Sequence, residues 1–221
     1  MDLKPRLALH FSLGLVLFGA VLFFPAGSLR FWQGWVYLGI LFVPGLLAFL
    51  YFYKRDPQLL ERRLPLKETV REQKLIMSFV YAIWLFAFVL AGLDHRWGWS
   101  HVPLRLTVAS QVGVFAGSGM SLWAITVNRF AARTIRVEPG QPVVSTGPYH
   151  VVRHPMYLGV CVMLLFTPWA LGSWSVLPAV VLLLALVVLR LLNEEKVLRQ
   201  ELPGYAEYCL RTRFRLVPFL W

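Results

Sequence analysis

Two short runs in the C-terminal part of the chain carry the residue types that do chemistry. "HVVRHPMY", residues 150–157, gathers Arg153, His154 and Tyr157 around Pro155. "RLLNEE", residues 190–195, puts Arg190 four positions before Glu194, hence on one helical face, with Glu195 roughly 100° further round. A guanidinium is a planar fork suited to a carboxylate or phosphate. Glutamate and tyrosine recognise a cation, an amino group or ribose hydroxyls. Just upstream, "STGPYH" adds Tyr149 beside Pro148. The two prolines exclude one uninterrupted helix here, and Pro155 suits the first turn of a new one.

Each residue also has a plainer use. Arg153 and His154 suit a border pair snorkelling to lipid headgroups. Tyr149 and Tyr157 suit interfacial anchors. Arg190 and Glu194 suit an ion pair along a helix, and Glu195 a solvated face. Their concentration on one side of a membrane favours a shared pocket instead. Ionisable residues at membrane depth mark functional sites by default, and non-helical backbone there survives only inside protein or beside a wet cavity.

The membrane itself is read from composition. The chain has 221 residues, 58% hydrophobic and 15% charged, where a soluble domain averages about 25% charged. Four stretches reach spanning length: 7–24, 31–53, 75–93 and 102–127. Residues 157–192 suffice for two more, broken at Gly172-Ser173-Trp174 with Pro178 soon after. The expected fold is all-α: a polytopic bundle of about six spans, with five, or a final re-entrant hairpin, as alternatives. No small-residue cleavage site follows the first span, so it reads as a span and not a signal peptide.

Net charge is +11, but its placement decides its meaning. Nineteen of the 22 Lys and Arg lie before the first span, in 54–74, in 129–153 or from 190 onward. Only Arg30, Arg96 and Arg105 lie elsewhere. This is the positive-inside pattern, with both termini and the two long loops cytoplasmic, and nucleic acid is not expected as a partner. A compact chain of this kind suits a prokaryotic inner (plasma) membrane. Cys161 and Cys209 give neither a disulfide framework nor metal-ligand spacing, so no metal is expected.

No hydrophilic block is long enough for a separate core, so one continuous membrane domain is expected. Within it, residues 1–127 hold spans one to four with the basic loop 54–74. Residues 128–221 hold the polar region and the last hairpin. The loop "KRDPQLLERRLPLKETVREQK" carries Leu59, Leu60 and Leu64 at helical spacing and predicts short interfacial helices interrupted at Pro57 and Pro65. Trp97 and Trp99 suit the opposite boundary. In "GVFAGSGMS", Gly113 and Gly117 predict close helix packing in lipid; no strand precedes them to support a nucleotide loop.

At these residues the sequence resembles the integral-membrane methyltransferases related to isoprenylcysteine carboxyl methyltransferase, with phospholipid N-methyltransferases as more distant kin. The resemblance rests on "TGPYHVVRHPMYLG" followed about forty residues on by "RLLNEEKVLRQELPGYAEY", roughly from Asn128 onward. It implies S-adenosyl-L-methionine held without a Rossmann sheet. By position, Gln141, Pro142, Val143 and Val144, then Tyr149, then His154, Pro155, Met156 and Tyr157 would contact that reagent, with Glu194 from the last helix. Arg190 would orient the acceptor's acidic group. Asn128, Arg153 and Glu195 would shape the pocket. Two departures stand out: His150 stands where related bacterial sequences commonly have arginine, and "LPGYAEY" is a residue shorter than the usual "FGxxYxxY".

The expected activity is methyl transfer to a lipid-like or prenylated small acceptor, with membrane lipid around it and no obligate protein partner. A carboxylate acceptor needs orientation and no general base. An amine such as phosphatidylethanolamine must lose a proton, with Glu194, Glu195 or His150 as candidate bases. Alternatives of other kinds are a sterol-reductase-like oxidoreductase and a non-catalytic scaffold.

Overall fold

The computed structural model describes residues 3–63, 71–131, 134 and 137–221. Among the described residues, eight α-helices follow one another: α1 (Leu3–Ala26), α2 (Trp32–Arg55), α3 (Pro57–Arg63), α4 (Arg71–Trp97), α5 (Leu104–Val127), α6 (Pro155–Ala170), α7 (Leu177–Glu201) and α8 (Tyr205–Arg211). Short 3-10 turns occupy Gly147–His150 and Trp174–Val176. No strand occurs among the described residues.

Of the six expected spans, α2, α4, α5 and α7 are long and apolar enough to cross a membrane by length and composition. The apolar stretch Phe11–Ala26 of α1 and α6 itself are shorter. Proline and glycine bound α6. Pro155 occupies its first position, where no backbone donor is needed. Gly172, at φ +71°, turns the chain just after it. In the four long helices only 11% to 39% of the apolar window is buried within the protein, so their remaining apolar surface needs lipid. Between α2 and α3 the break falls at Asp56, and Pro57 opens α3 instead of interrupting it. Leu64 and Pro65 lie outside the described residues.

Consecutive helices do not simply pair. α4 packs against α1 and α7, while α5 packs most extensively on α6 and also on α2. Phe31, Tyr37, Phe88, Leu164 and Leu183 are fully or almost fully buried in the shared core. The expected small-residue packing is present: a Cβ on Gly117 would sit 2.6 Å from the Gly159 carbonyl oxygen of α6, and one on Gly113 would overlap the Phe166 ring. At the end of the bundle away from the polar runs, the buried Asp94 carboxylate ties α4 to both neighbouring turns. It accepts from the Ser100 N–H (2.7 Å) and from the hydroxyls of Ser100, Ser173 and Ser175.

Candidate active site

The helix ends at the other face explain how polar groups converge. α5 stops at Asn128, whose side-chain Oδ1 accepts the Phe130 N–H at 3.0 Å and turns the chain. Gly147, at φ +58°, begins the 3-10 turn that carries Pro148 and Tyr149 inward. The backbone N–H groups of Arg153 and His154 then donate to the Phe214 and Arg215 carbonyls, at 2.9 and 3.0 Å. The tail thereby holds the approach to α6. The Ser121 hydroxyl, donating to the Met156 carbonyl at 3.1 Å, ties α5 to the first turn of α6.

These elements enclose a cavity of about 310 Å³. Its walls include Gln141, Pro142, Val143, Val144, Tyr149, His154, Met156, Tyr157, Arg190 and Glu194, together with Asn128 and Arg153. Two of the expected residues lie off this wall. Pro155 is buried at the first position of α6, where it shapes the helix start. His150 is exposed at the end of the 3-10 turn.

At the centre stands a chain of polar contacts across three helices. The Tyr157 hydroxyl donates to Glu194 Oε2 at 2.5 Å and accepts from Arg190 Nε at 3.1 Å. Arg190 also donates through a terminal nitrogen to Gln73 Oε1 at 3.2 Å. Tyr157 is thus a buried bridge and not an interfacial anchor, and it links Arg190 to Glu194.

Glu195 lies beside this chain and takes no part in the cavity wall. Far from solvated, it is 3% exposed. One of its oxygens takes Arg153 at 3.1 Å and stands 3.3 Å from His154 Nε2; the other accepts from Arg215 Nε at 3.0 Å. A carboxylate this deep requires such partners, because an unpaired buried charge is far costlier than a paired one. Arg153 and His154 are likewise buried, which sets aside a headgroup-snorkelling role.

Sequence reasoning missed several walls of the cavity. Arg63 comes from α3, Met77 from α4, and Tyr205 and Tyr208 from α8. The shortened "LPGYAEY" still delivers its tyrosines: Gly204, at φ +81°, starts α8, and the Tyr208 hydroxyl donates to the Tyr149 carbonyl at 2.7 Å. Burial pushes the Tyr205 and Tyr208 phenols well above their ordinary range. Burial likewise takes Tyr149 up to about 12, against the pull of the Asn128 side chain. All three are neutral hydroxyls at physiological pH. No group of His, Cys, Asp and Glu that could hold a metal ion occurs among the described residues.

The fold and site together define an integral-membrane protein, helical throughout its described residues, whose polar cavity is walled by the ends of several helices and by the tail. Residues 110–200 match the model of the isoprenylcysteine carboxyl methyltransferase (ICMT) family, which bears out the resemblance over that stretch and supports a membrane methyltransferase of the isoprenylcysteine type. The match begins inside α5, earlier than Asn128, and stops short of α8.

Proposed function

We propose that the protein transfers a methyl group from S-adenosylmethionine to an amphipathic, lipid-borne acceptor, with a carboxylate acceptor favoured. The observation that carries this reading is the pairing of Arg190 and Glu194 through Tyr157 on one cavity wall. One carboxylate and one guanidinium, held side by side, suit two different polar partners. Glu194 suits the ammonium or ribose hydroxyls of the donor, and Arg190 suits the acidic group of the acceptor.

The residues present fit such a donor. Val143, Leu198, Leu202 and Tyr205 give the cavity an apolar wall suited to a flat ring, in the same cavity as the Glu194 carboxylate. When bound, S-adenosylmethionine supplies an electrophilic methyl on a sulfonium whose positive charge is lost on transfer. The protein's own share is to position the two partners in line and exclude water. Met77, Ile125, Met156 and Val160 line the same cavity and give an acceptor's tail an apolar surface. We infer further that α1 and α6 cross the bilayer with the other four, and that the cavity faces the cytoplasm, a placement the basic loops support.

Calorimetry on the detergent-purified, folded protein tests this reading with S-adenosylmethionine, S-adenosylhomocysteine and a reduced nicotinamide. Binding of the two sulfur compounds alone is expected. Absence of both overturns the reading, and nicotinamide binding points to a reductase. A labelled-methyl screen of membrane lipids then identifies the acceptor class; label in phosphatidylethanolamine moves the assignment from carboxylate to amine.

A further inference from the structure

We propose that Gln73 is a positioning residue for Arg190, holding its guanidinium in the orientation that meets the acceptor's carboxylate. The proposal rests on the acceptor-orienting role of Arg190 given above. Gln73 lies in the first turns of α4, 117 positions from Arg190 and outside the segment that matches the family. It is 1% exposed, and its Oε1 accepts from a terminal nitrogen of Arg190 at 3.2 Å. Tyr157, from α6, accepts from Arg190 Nε at 3.1 Å. The two contacts grip separate nitrogens of one rigid plane from two different helices. Together they fix both the reach of the arginine and the rotation of its fork.

Such a grip has a consequence for binding. A free arginine side chain has many rotamers, and ordering them only when the acceptor arrives weakens association. A guanidinium already held in its working orientation avoids that loss and presents its fork in one plane to a carboxylate. A buried glutamine placed only for packing gives no reason for its acceptor oxygen to meet the arginine of this cavity. Leucine fills similar space without an acceptor, whereas glutamate keeps an acceptor at the same reach.

The test uses the full-length protein in detergent, with N-acetyl-S-farnesylcysteine as acceptor probe and S-adenosylhomocysteine as donor-site probe. Gln73→Leu is expected to raise the KM for the farnesylated probe about tenfold, the effect of losing a hydrogen bond to a charged group. Its affinity for S-adenosylhomocysteine stays within about twofold of wild type, and Gln73→Glu restores most of the acceptor affinity. In an Arg190→Ala background, Gln73→Leu adds nothing, because the two residues act as one unit. An unchanged KM in folded Gln73→Leu overturns the proposal, as does a Gln73→Glu protein as impaired as Gln73→Leu. If Gln73→Leu fails to fold, Gln73→Met carries the same comparison. Wild-type protein that binds S-adenosylhomocysteine but never methylates the farnesylated probe overturns both the role of Arg190 and this proposal. Wild-type protein that binds no S-adenosylhomocysteine overturns the methyl-donor reading itself.

Discussion

The Tyr157 hydroxyl stands between Arg190 and Glu194, accepting from the first at 3.1 Å and donating to the second at 2.5 Å. One phenol therefore orients two of the charged groups on the cavity wall. Tyr157→Phe removes the bridge while keeping the ring. Hydrogen bonds to charged groups contribute about 1.5–3 kcal/mol. The expected result is an affinity for S-adenosylhomocysteine lower by about tenfold or more, with turnover falling further because Arg190 is released as well. Calorimetry and labelled-methyl transfer on the same preparation measure the two effects.

Glu194 and Arg190 are expected to fail in different ways, although one hydroxyl joins them. Glu194→Ala should weaken donor binding by about tenfold or more. Arg190→Ala should leave the donor's affinity within about twofold and lower turnover by about a hundredfold, through loss of acceptor orientation. The split is read by comparing donor Kd with kcat/KM. Equal losses of donor affinity in both variants would show that the two groups serve one ligand.

What is legible in the sequence follows the physics of each signal. Gly113 and Gly117 announce a close helix contact because small residues one helical turn apart allow backbones to approach; the partner, α6 through Gly159, emerges only from the packing. Pro155 and Gly172 announce the limits of α6 through backbone conformation alone, proline by its fixed φ and glycine by its access to positive φ. Gln73 is not legible. Its partner lies 117 positions away, and a glutamine at a helix end in a basic loop looks solvated. Glu195 reads as solvated for a related reason. Helical spacing separates it from Glu194 by direction only, and its burial depends on Arg215 arriving from the tail. For stretches apolar all round, such as the first half of α7, periodicity does not say which face meets protein and which meets lipid. The inward face is therefore known only once the helices are packed.

Glu195 offers a test of structure separate from chemistry. Its carboxylate holds Arg153, His154 and Arg215, joining α7, the approach to α6 and the tail. Glu195→Ala leaves buried Arg153 without its carboxylate. Breaking a buried pair from one side costs about 3–5 kcal/mol. The expected outcome is a markedly lower Tm in detergent and protease access to the tail after Arg211. Added S-adenosylhomocysteine should recover only part of the loss. A variant with wild-type Tm would show that the tail is held by its backbone contacts alone.

Two glycines on α5, two positions apart, are expected to respond with opposite sign. A Cβ on Gly117 would stand 2.6 Å from both the Gly159 carbonyl oxygen and the Met163 nitrogen. Both are backbone atoms of α6 that no rotamer change moves aside, so α5 and α6 must separate. Overpacking of this kind costs about 1–3 kcal/mol. The same separation strains the Ser121–Met156 link at the cavity wall, so Gly117→Ala should lose donor affinity as well as stability. A Cβ on Gly119, in the same helix, would meet nothing within 4 Å. Gly119→Ala therefore carries no steric cost there and gains about 1 kcal/mol of helix propensity. Thermal unfolding of the two variants beside wild type decides the matter: Gly117→Ala should melt lower and Gly119→Ala slightly higher. Equal shifts would show that the α5–α6 contact is not the tight one described.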